Sequence, residues 1–375
     1  MNRLGKLAAG ALAAFGVAAL AAAPSAQAKD LKVGVVASLS GAFAGPAKDA
    51  LDGVKAWIAA RGVPGGKVDL VLADDETNPV TAANAFRRVA SDPSVDLIYL
   101  LIPSNSVLAV KAIASDFKVP IIAGGAADAI GVPANPWLFK VAPGVHDFMT
   151  VLVNYAKSKG YKRIATLNAT DAFGQAEIVS LRQLVPAAGL TLAAAESFAV
   201  TDTNFNAQAI KLRAANPDLV YDGASGRPAV LTFKQIKQLG LKAPLMMGQS
   251  VVAKSFYDGI GGAKVADGVL VPIQLGSFGT AAGGTTATMY GDLEKALGRT
   301  PVYYNTFGWD VGLITEAAVK NSDGSRQGLR DAIEKLKDLP ALNGPVTYTA
   351  ADHTGQNFRS IGMGQLENGV PVLVK

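Results

Sequence analysis

The stretch LKVGVVASLSGAFAGPAKDALDGVKAWIAAR, residues 31–61, decides the fold. Its opening, LKVGVVA, is a short β-branched apolar run of the kind that becomes a strand buried on both faces. A glycine-punctuated turn follows, and from about residue 46 to residue 61 the apolar positions recur at helical spacing. A strand, a Gly-rich turn and a helix make the first half of a βαβ unit, and residues 68–73 (VDLVLA) supply the next strand.

Outward from that unit the rhythm continues. Asn78 and Pro79 suit a helix start, because Asn accepts from free amides and Pro fits the first turn. Strands are predicted at 96–101 and 119–123, with a helix over 106–117 between them. Such alternation reads as α/β, a parallel doubly wound sheet with helices on both faces. The pattern then restarts, with helices at 151–159, 173–187, 205–214 and 228–239 and strands at 163–167, 219–222 and 244–248. Two successive units of similar size imply two lobes. After a strand at 269–273, the Gly/Thr/Ser-rich segment 276–288 reads as a crossing between them. Helices near 288–298, 306–320 and 326–339 and strands near 345–348, 359–364 and 370–374 complete the chain. Ligands of such sheets bind beyond the carboxyl ends of the strands. The loops at 38–46, 103–106, 124–128, 168–173, 223–228 and 248–250 are therefore the candidates for a site.

Residues 1–28 have the marks of an export signal. Arg3 and Lys6 precede an uncharged apolar stretch, and Ala26-Gln27-Ala28 offers the small-x-small pattern that predicts cleavage after Ala28. The stretch is too rich in Ala and Gly for a membrane span of about 20 strongly apolar residues. With no cysteine there is no lipoprotein anchor, so the mature protein is expected to be soluble and periplasmic. Loss of Arg3 and Lys6 takes 35 basic residues to 33 against 30 acidic, a formal charge of +3 instead of +5. That mild excess biases the surface toward anions. It does not suggest nucleic acid, since Lys and Arg are scattered singly. The absence of cysteine excludes disulfides, thiol catalysis and thiolate metal sites, and two histidines, His146 and His353, leave little for acid–base work.

Other chemistries find little support. Asp74-Asp75-Glu76 follows a strand and reads as a solvated strand end rather than a cation site, since no further acidic cluster completes a shell. Gly223-Ala224-Ser225-Gly226 lacks the Gly-x-Ser-x-Gly spacing of a nucleophile elbow, because Arg227 takes the last place. There is no phosphate loop ending in GK[ST] and no G-x-G-x-x-G after the first strand. What remains are small, polar, Gly-rich loops, Pro103-Ser104-Asn105-Ser106 and Ala123-Gly124-Gly125-Ala126-Ala127. Each lies between a strand and a helix, where helix amides favour a carboxylate.

Taken in order, these segments resemble the branched-chain amino acid and amide-type substrate-binding proteins of ABC importers, which have the type I periplasmic binding fold. The likeness runs through Val33-Gly34-Val35-Val36-Ala37-Ser38-Leu39-Ser40-Gly41, Ala73-Asp74-Asp75 with Asn78-Pro79, and Pro103-Ser104-Asn105-Ser106. It continues through Ile121-Ile122-Ala123-Gly124-Gly125-Ala126, Asp171-Ala172-Phe173-Gly174, Pro217-Asp218-Leu219-Val220-Tyr221, Gln238-Leu239-Gly240-Leu241 and Asn343-Gly344-Pro345-Val346. The resemblance implies two doubly wound lobes joined by three hinge crossings, near Val145, Gln274 and Arg359. One lobe would hold residues 29–145 and 274–358, the other 146–273 and 359–375. It further implies a monomer without cofactor or metal that carries no catalysis, binds a small molecule and serves an ABC permease in the inner membrane. A ligand sensor on the same fold is the alternative.

Position by position, the family's ligand-binding serine matches Ser104, and the amides of Gly125, Ala126 and Ala127 would share the ligand's carboxylate. Phe173 matches the aromatic cover of the second lobe, Ser225 and Arg227 come from the next loop, and an aromatic at Tyr303 or Tyr304 lines the first-lobe side. Two positions depart from amino-acid binders. Ala127 stands where Thr or Ser is usual, and Gln249 where Glu or Asp often holds the ligand's ammonium. A buried ammonium without a counter-charge is costly, so an apolar or aromatic carboxylic acid is favoured over a branched-chain amino acid, unless Asp128, Asp171 or Asp222 substitutes. Pro46 replaces a frequent first-lobe aromatic, and Thr77 and Pro103 occupy the positions of a disulfide found in some members.

Overall fold

The computed structural model describes residues 30–374; the stretch read as an export signal lies outside them. The first sheet contains β1 (Leu31–Ala37), β2 (Val68–Asp74), β3 (Leu97–Leu101), β4 (Ile121–Ala123) and β5 (Leu138–Lys140), all parallel, in the order β2-β1-β3-β4-β5. Helices α1 (Ala44–Ala60), α2 (Pro79–Ala90), α3 (Ser104–Lys111) and α4 (Ala114–Phe117) connect its strands. Both faces are buried, as the apolar runs require. Val33, Val35 and Ala37 of β1 join one core with Trp57 of α1, while Val36 points to the opposite core with Phe86 of α2. In β3, Leu97, Tyr99 and Leu101 take the first face and Ile98 and Leu100 the second.

The second sheet follows α5 (Val145–Ser158) and contains β6 (Arg163–Ala169), β7 (Thr191–Phe198), β8 (Leu219–Asp222), β9 (Leu245–Met247) and β10 (Leu270–Gln274). Around it lie α6 (Ala172–Ala187), α7 (Asn206–Ala214), α8 (Gly226–Gln238) and α9 (Lys254–Ile260). The chain then leaves through a 3-10 segment, Leu275–Ala282, for α10 (Gly284–Leu297), α11 (Tyr303–Lys320) and α12 (Arg326–Glu334). Trp309, Val311 and Ile314 of α11 and Leu329 and Ile333 of α12 bury themselves in the core of the first sheet. The chain finally returns as β11 (Ile361–Glu367) and β12 (Val370–Leu373), giving the order β12-β11-β10-β9-β8-β6-β7.

The molecule is thus an α/β protein of two lobes, each built on its own sheet, with some differences from the sequence expectation. The second sheet is not wholly parallel, since β11 runs antiparallel to both β10 and β12. A turn at Ala112 and Ile113 divides the single helix expected over 106–117 into α3 and α4. No strand forms at 345–348, where Val346 makes only an isolated bridge with Leu339. Asp310 of α11 holds this segment instead, accepting from the backbone of Leu342 (2.6 Å) and Asn343 (3.1 Å) and from Gln356 Nε2 (3.0 Å). Gln356 also accepts a hydrogen bond from Gln274, the last residue of β10. At Asn78 the expected cap is present, with its Oδ1 accepting from Val80 (2.8 Å) and Thr81 (3.2 Å). Among the described residues, no helix is long and apolar enough to cross a membrane.

Candidate functional site

The carboxyl ends of the two sheets face one cleft of about 640 Å³, the open space at its mouth included. Each of the six loops singled out in the sequence lends it at least one residue. From the first lobe come Phe43 and Pro46, Pro103 and Ser104, and Gly124 to Ala126; from the second come Asp171 and Phe173, Ser225, and Gln249 with Ser250. The start of α11 adds both Tyr303 and Tyr304, and Phe307 one turn further.

Ser104 is the first residue of α3, and Pro103 at the cap position offers no side chain to that helix's free amides. Its Oγ accepts from the N–H groups of Ala126 and Ala127, both at 3.2 Å, and the side chain is buried. A hydroxyl has two lone pairs and one proton. With both lone pairs engaged, only the proton remains for a partner in the cleft. Gly125 makes this contact feasible. Its φ of +77° suits glycine, and a Cβ there would lie 2.7 Å from Ile130 Cδ1 and 3.2 Å from Ser104 Oγ.

The walls are aromatic. Phe43 meets Tyr304 edge to face, with centroids 5.7 Å apart, and Tyr303 meets Tyr304 at 4.8 Å. Burial pushes both tyrosine hydroxyls well above their ordinary range, so they are neutral donors. The first-lobe aromatic that Pro46 leaves out is supplied by Phe43, three residues earlier, a position the sequence comparison had passed over. Leu101, Ala142 and Phe307 were likewise missed, because only the third dimension brings strand ends and a helix start to the same wall.

Among the described residues, Asp171 is the single charged side chain lining the cleft. Its Oδ1 accepts from Gly174 N at 3.0 Å, capping α6, and burial raises its carboxyl above the usual range. The other two acids considered from sequence do not reach the cleft lining. Asp222 is fully buried, accepts from Thr232 Oγ1 (2.6 Å) and Ala224 N (3.1 Å), and is pushed up to about 7 by burial. Asp128 accepts from the His146 amide at 3.3 Å.

Two sequence candidates stand back from the cleft. Ala127 takes part only through its amide to Ser104. Arg227 is exposed and its side chain is not part of the lining; its backbone N–H instead donates across the lobes to Ala42 O at 3.1 Å. Further contacts of this kind run from Tyr303 N–H to Val252 O (3.1 Å) and from Lys254 N–H to Asp49 Oδ2 (3.3 Å). Burial pushes the Asp49 carboxyl up to about 6, against the pull of Arg299 at 3.5 Å.

The acidic run at the end of β2 is occupied with its own loop. Asp74 Oδ1 accepts from Leu39 N (2.9 Å) and Glu76 N (2.9 Å), and Asp75 Oδ1 from Ser38 Oγ (2.6 Å) and Thr77 N (2.9 Å). Among the described residues no group of three or more acids and histidines is arranged to hold a metal ion. His353 is buried in the first lobe, where its ring stacks on Phe139 at 4.3 Å, and neither histidine lines the cleft.

Residues 30–369 match a family model described as periplasmic binding protein. The Leu/Ile/Val-binding protein BraC3 of Rhizobium johnstonii is 23% identical over 364 residues, covering 91% of this chain and 94% of that protein. An extracellular ligand-binding receptor from Rhodopseudomonas palustris HaA2 superposes with a TM-score of 0.82 at 25% identity, over 92% of this chain and 100% of that one. An ABC-transporter solute binding protein from R. palustris, solved in complex with benzoate, superposes with a TM-score of 0.81 at 21% identity, over 92% and 96%.

Proposed function

The chain belongs to the periplasmic binding protein family, and on that premise we propose that it captures a small organic carboxylate between its lobes and presents it to an ABC permease. Members of this family bind and do not catalyse. The observation that carries the carboxylate reading is Ser104, whose hydroxyl accepts from two amides and has only a donor left to offer. An acceptor-only group such as a carboxylate is its natural partner. Phe43, Phe173, Tyr303 and Tyr304 supply apolar surface for the rest of the ligand.

In this reading the lobes are residues 29–145 with 274–358 and 146–273 with 359–375, hinged near Val145, Gln274 and Arg359, and the protein works as a monomer exported to the periplasm by residues 1–28. Ligand contacts made by both lobes select the closed form. Gln249, which lies against the Tyr303 hydroxyl across the lobes, is one such bridge. Five aromatic rings against a single acid in the lining favour an apolar or aromatic acid. Asp171 carries a second reading, a branched-chain amino acid whose ammonium sits on that carboxylate.

Calorimetric titration of ligand-stripped protein with leucine, valine, benzoate and cinnamate tests both. Binding of the aromatic acids with leucine silent supports the first reading. Tight leucine binding with the aromatic acids silent replaces it by the second, and silence to all four removes the carboxylate reading.

A further inference from the structure

Lys140 ends β5, and its side chain is fully buried at the floor of the first lobe. A buried ammonium is costly unless a negative charge balances it. Among the described residues, no carboxylate oxygen comes within ion-pair distance of 4.0 Å of its Nζ. Instead the Nζ donates to the backbone carbonyls of Ala126 (3.3 Å) and Pro143 (3.4 Å).

The Ala126 carbonyl and the Ala127 N–H are the two ends of one peptide group. A cation on the carbonyl draws electron density through that group and makes the N–H a stronger donor. That same N–H donates to Ser104 Oγ at 3.2 Å, which in turn strengthens the Ser104 hydroxyl as a donor into the cleft. The ammonium is thus coupled to the cleft by an unbroken chain of hydrogen bonds.

Resting on the carboxylate reading above, we propose that Lys140 is the anion-selecting residue of the site: a positioning cation one peptide group behind Ser104, whose counter-charge is the bound ligand's carboxylate.

Three surrounding acids pull on the ammonium from beyond ion-pair distance, and each also accepts from a backbone amide. Asp128, beyond β4, accepts from the His146 amide, Asp147 of α5 from Gly144 N (3.2 Å), and Asp352 from Thr354 N (2.7 Å). Lys111 of α3 donates to the carbonyls of Ala129 (2.5 Å) and Pro133 (2.7 Å), and its charge opposes that of Lys140. The His353 carbonyl accepts from the Lys140 backbone, while its ring is held by Leu138 O and Glu334. Burial lowers Lys140 to about 8, against the pull of Asp128, Asp147 and Asp352, so its charge is lost at mildly alkaline pH in the free protein. An anion in the cleft holds the proton on.

The experiment compares wild type with Lys140→Met, using whichever of leucine, valine, benzoate and cinnamate binds, each against its own primary amide. The expected result at neutral pH is a loss of about tenfold or more for the acid in the variant, with the amide's affinity unchanged. At about pH 8.5, titration in two buffers of different ionisation enthalpy should show the wild type taking up more proton on binding than the variant does. Lys234→Gln, at an exposed position of α8, should keep the wild-type uptake. Equal acid-to-amide ratios and equal proton uptake in wild type and variant overturn the role of Lys140 alone, while silence of the wild type to all four acids overturns both readings. Should the variant fail to fold, the wild type decides: affinity for the acid that falls above about pH 8 supports the proposal, and a flat profile overturns it.

Discussion

Closure has a mechanical test that leaves the cleft untouched. Gly45 lies in the first turn of α1 and faces Ser255 of α9 across the two lobes, and neither residue is itself part of the lining, although Pro46 beside Gly45 is. A Cβ at Gly45 would sit 2.1 Å from Ser255 Oγ and 2.3 Å from Ser255 Cβ. Carbon atoms ordinarily approach to about 3.5–4.0 Å, so Gly45→Ala is short of room by over 1 Å. The hydroxyl can rotate away, but Ser255 Cβ moves only with α9, which also brings the Lys254 amide to Asp49. Overpacking of this kind costs about 1–3 kcal/mol. Because the clash exists only when the lobes are together, that penalty falls on ligand binding and raises Kd by about 5- to 150-fold. Calorimetry with the best of the four acids measures it, and small-angle scattering reports whether ligand still contracts the molecule. The double variant Gly45→Ala, Ser255→Gly should recover most of the affinity. Gly291→Ala, in α10 with nothing within 4 Å, serves as the neutral control. Wild-type affinity and contraction in Gly45→Ala would refute the closing motion.

Three further outcomes are expected. Burial raises the Glu177 carboxyl to about 8, despite hydrogen bonds from Tyr221 and Asn168, so the native state holds a proton that the unfolded chain releases near 4.5. Stability should therefore fall as pH rises from about 4.5 to about 8, and Glu177→Gln should flatten that slope by up to about 5 kcal/mol in chemical denaturation; parallel wild-type and variant curves would count against it. Asp171→Asn removes the one acid of the lining and should leave benzoate or cinnamate binding unchanged or tighter, whereas a loss of about tenfold or more for leucine identifies Asp171 as an ammonium partner. Asn78→Ala deletes the cap of α2 and should cost about 1 kcal/mol in urea denaturation without altering ligand affinity.

The strands of the first sheet were legible because Val33 to Ala37 and Leu97 to Leu101 are apolar on both sides, a pattern with one structural meaning. β7 escaped notice because its TLAAAESF lies at the sheet's edge and is half exposed, where alanines carry no strand signal. β5 is only three residues long, and α9 is a short segment of aromatic and glycine residues whose place depends on packing against α8. At the site, the loops holding Ser104 and Phe173 were legible because the carboxyl ends of parallel strands must converge, while the choice of those two residues came from the family resemblance. Nothing local distinguishes Asp171 from Asp222. Asp171 comes just after β6 and Asp222 ends β8, and only the path of each loop leaves one at the cleft and the other sealed under Thr232.

The late return of the chain to the second sheet bears on how the molecule is made. Arg61 pairs with Glu316 across 255 residues, and Tyr99 hydrogen-bonds Thr315 across 216. Neither lobe is finished when its own βαβα run has been synthesised. The first awaits α11 to cover Trp57, and the second awaits β11 to cover the open edge of β10. Contacts of such long sequence separation form slowly, because the intervening loop must close first. A nascent chain of this order stays incomplete until nearly its last residues emerge, and so remains pliable for the longest part of its synthesis.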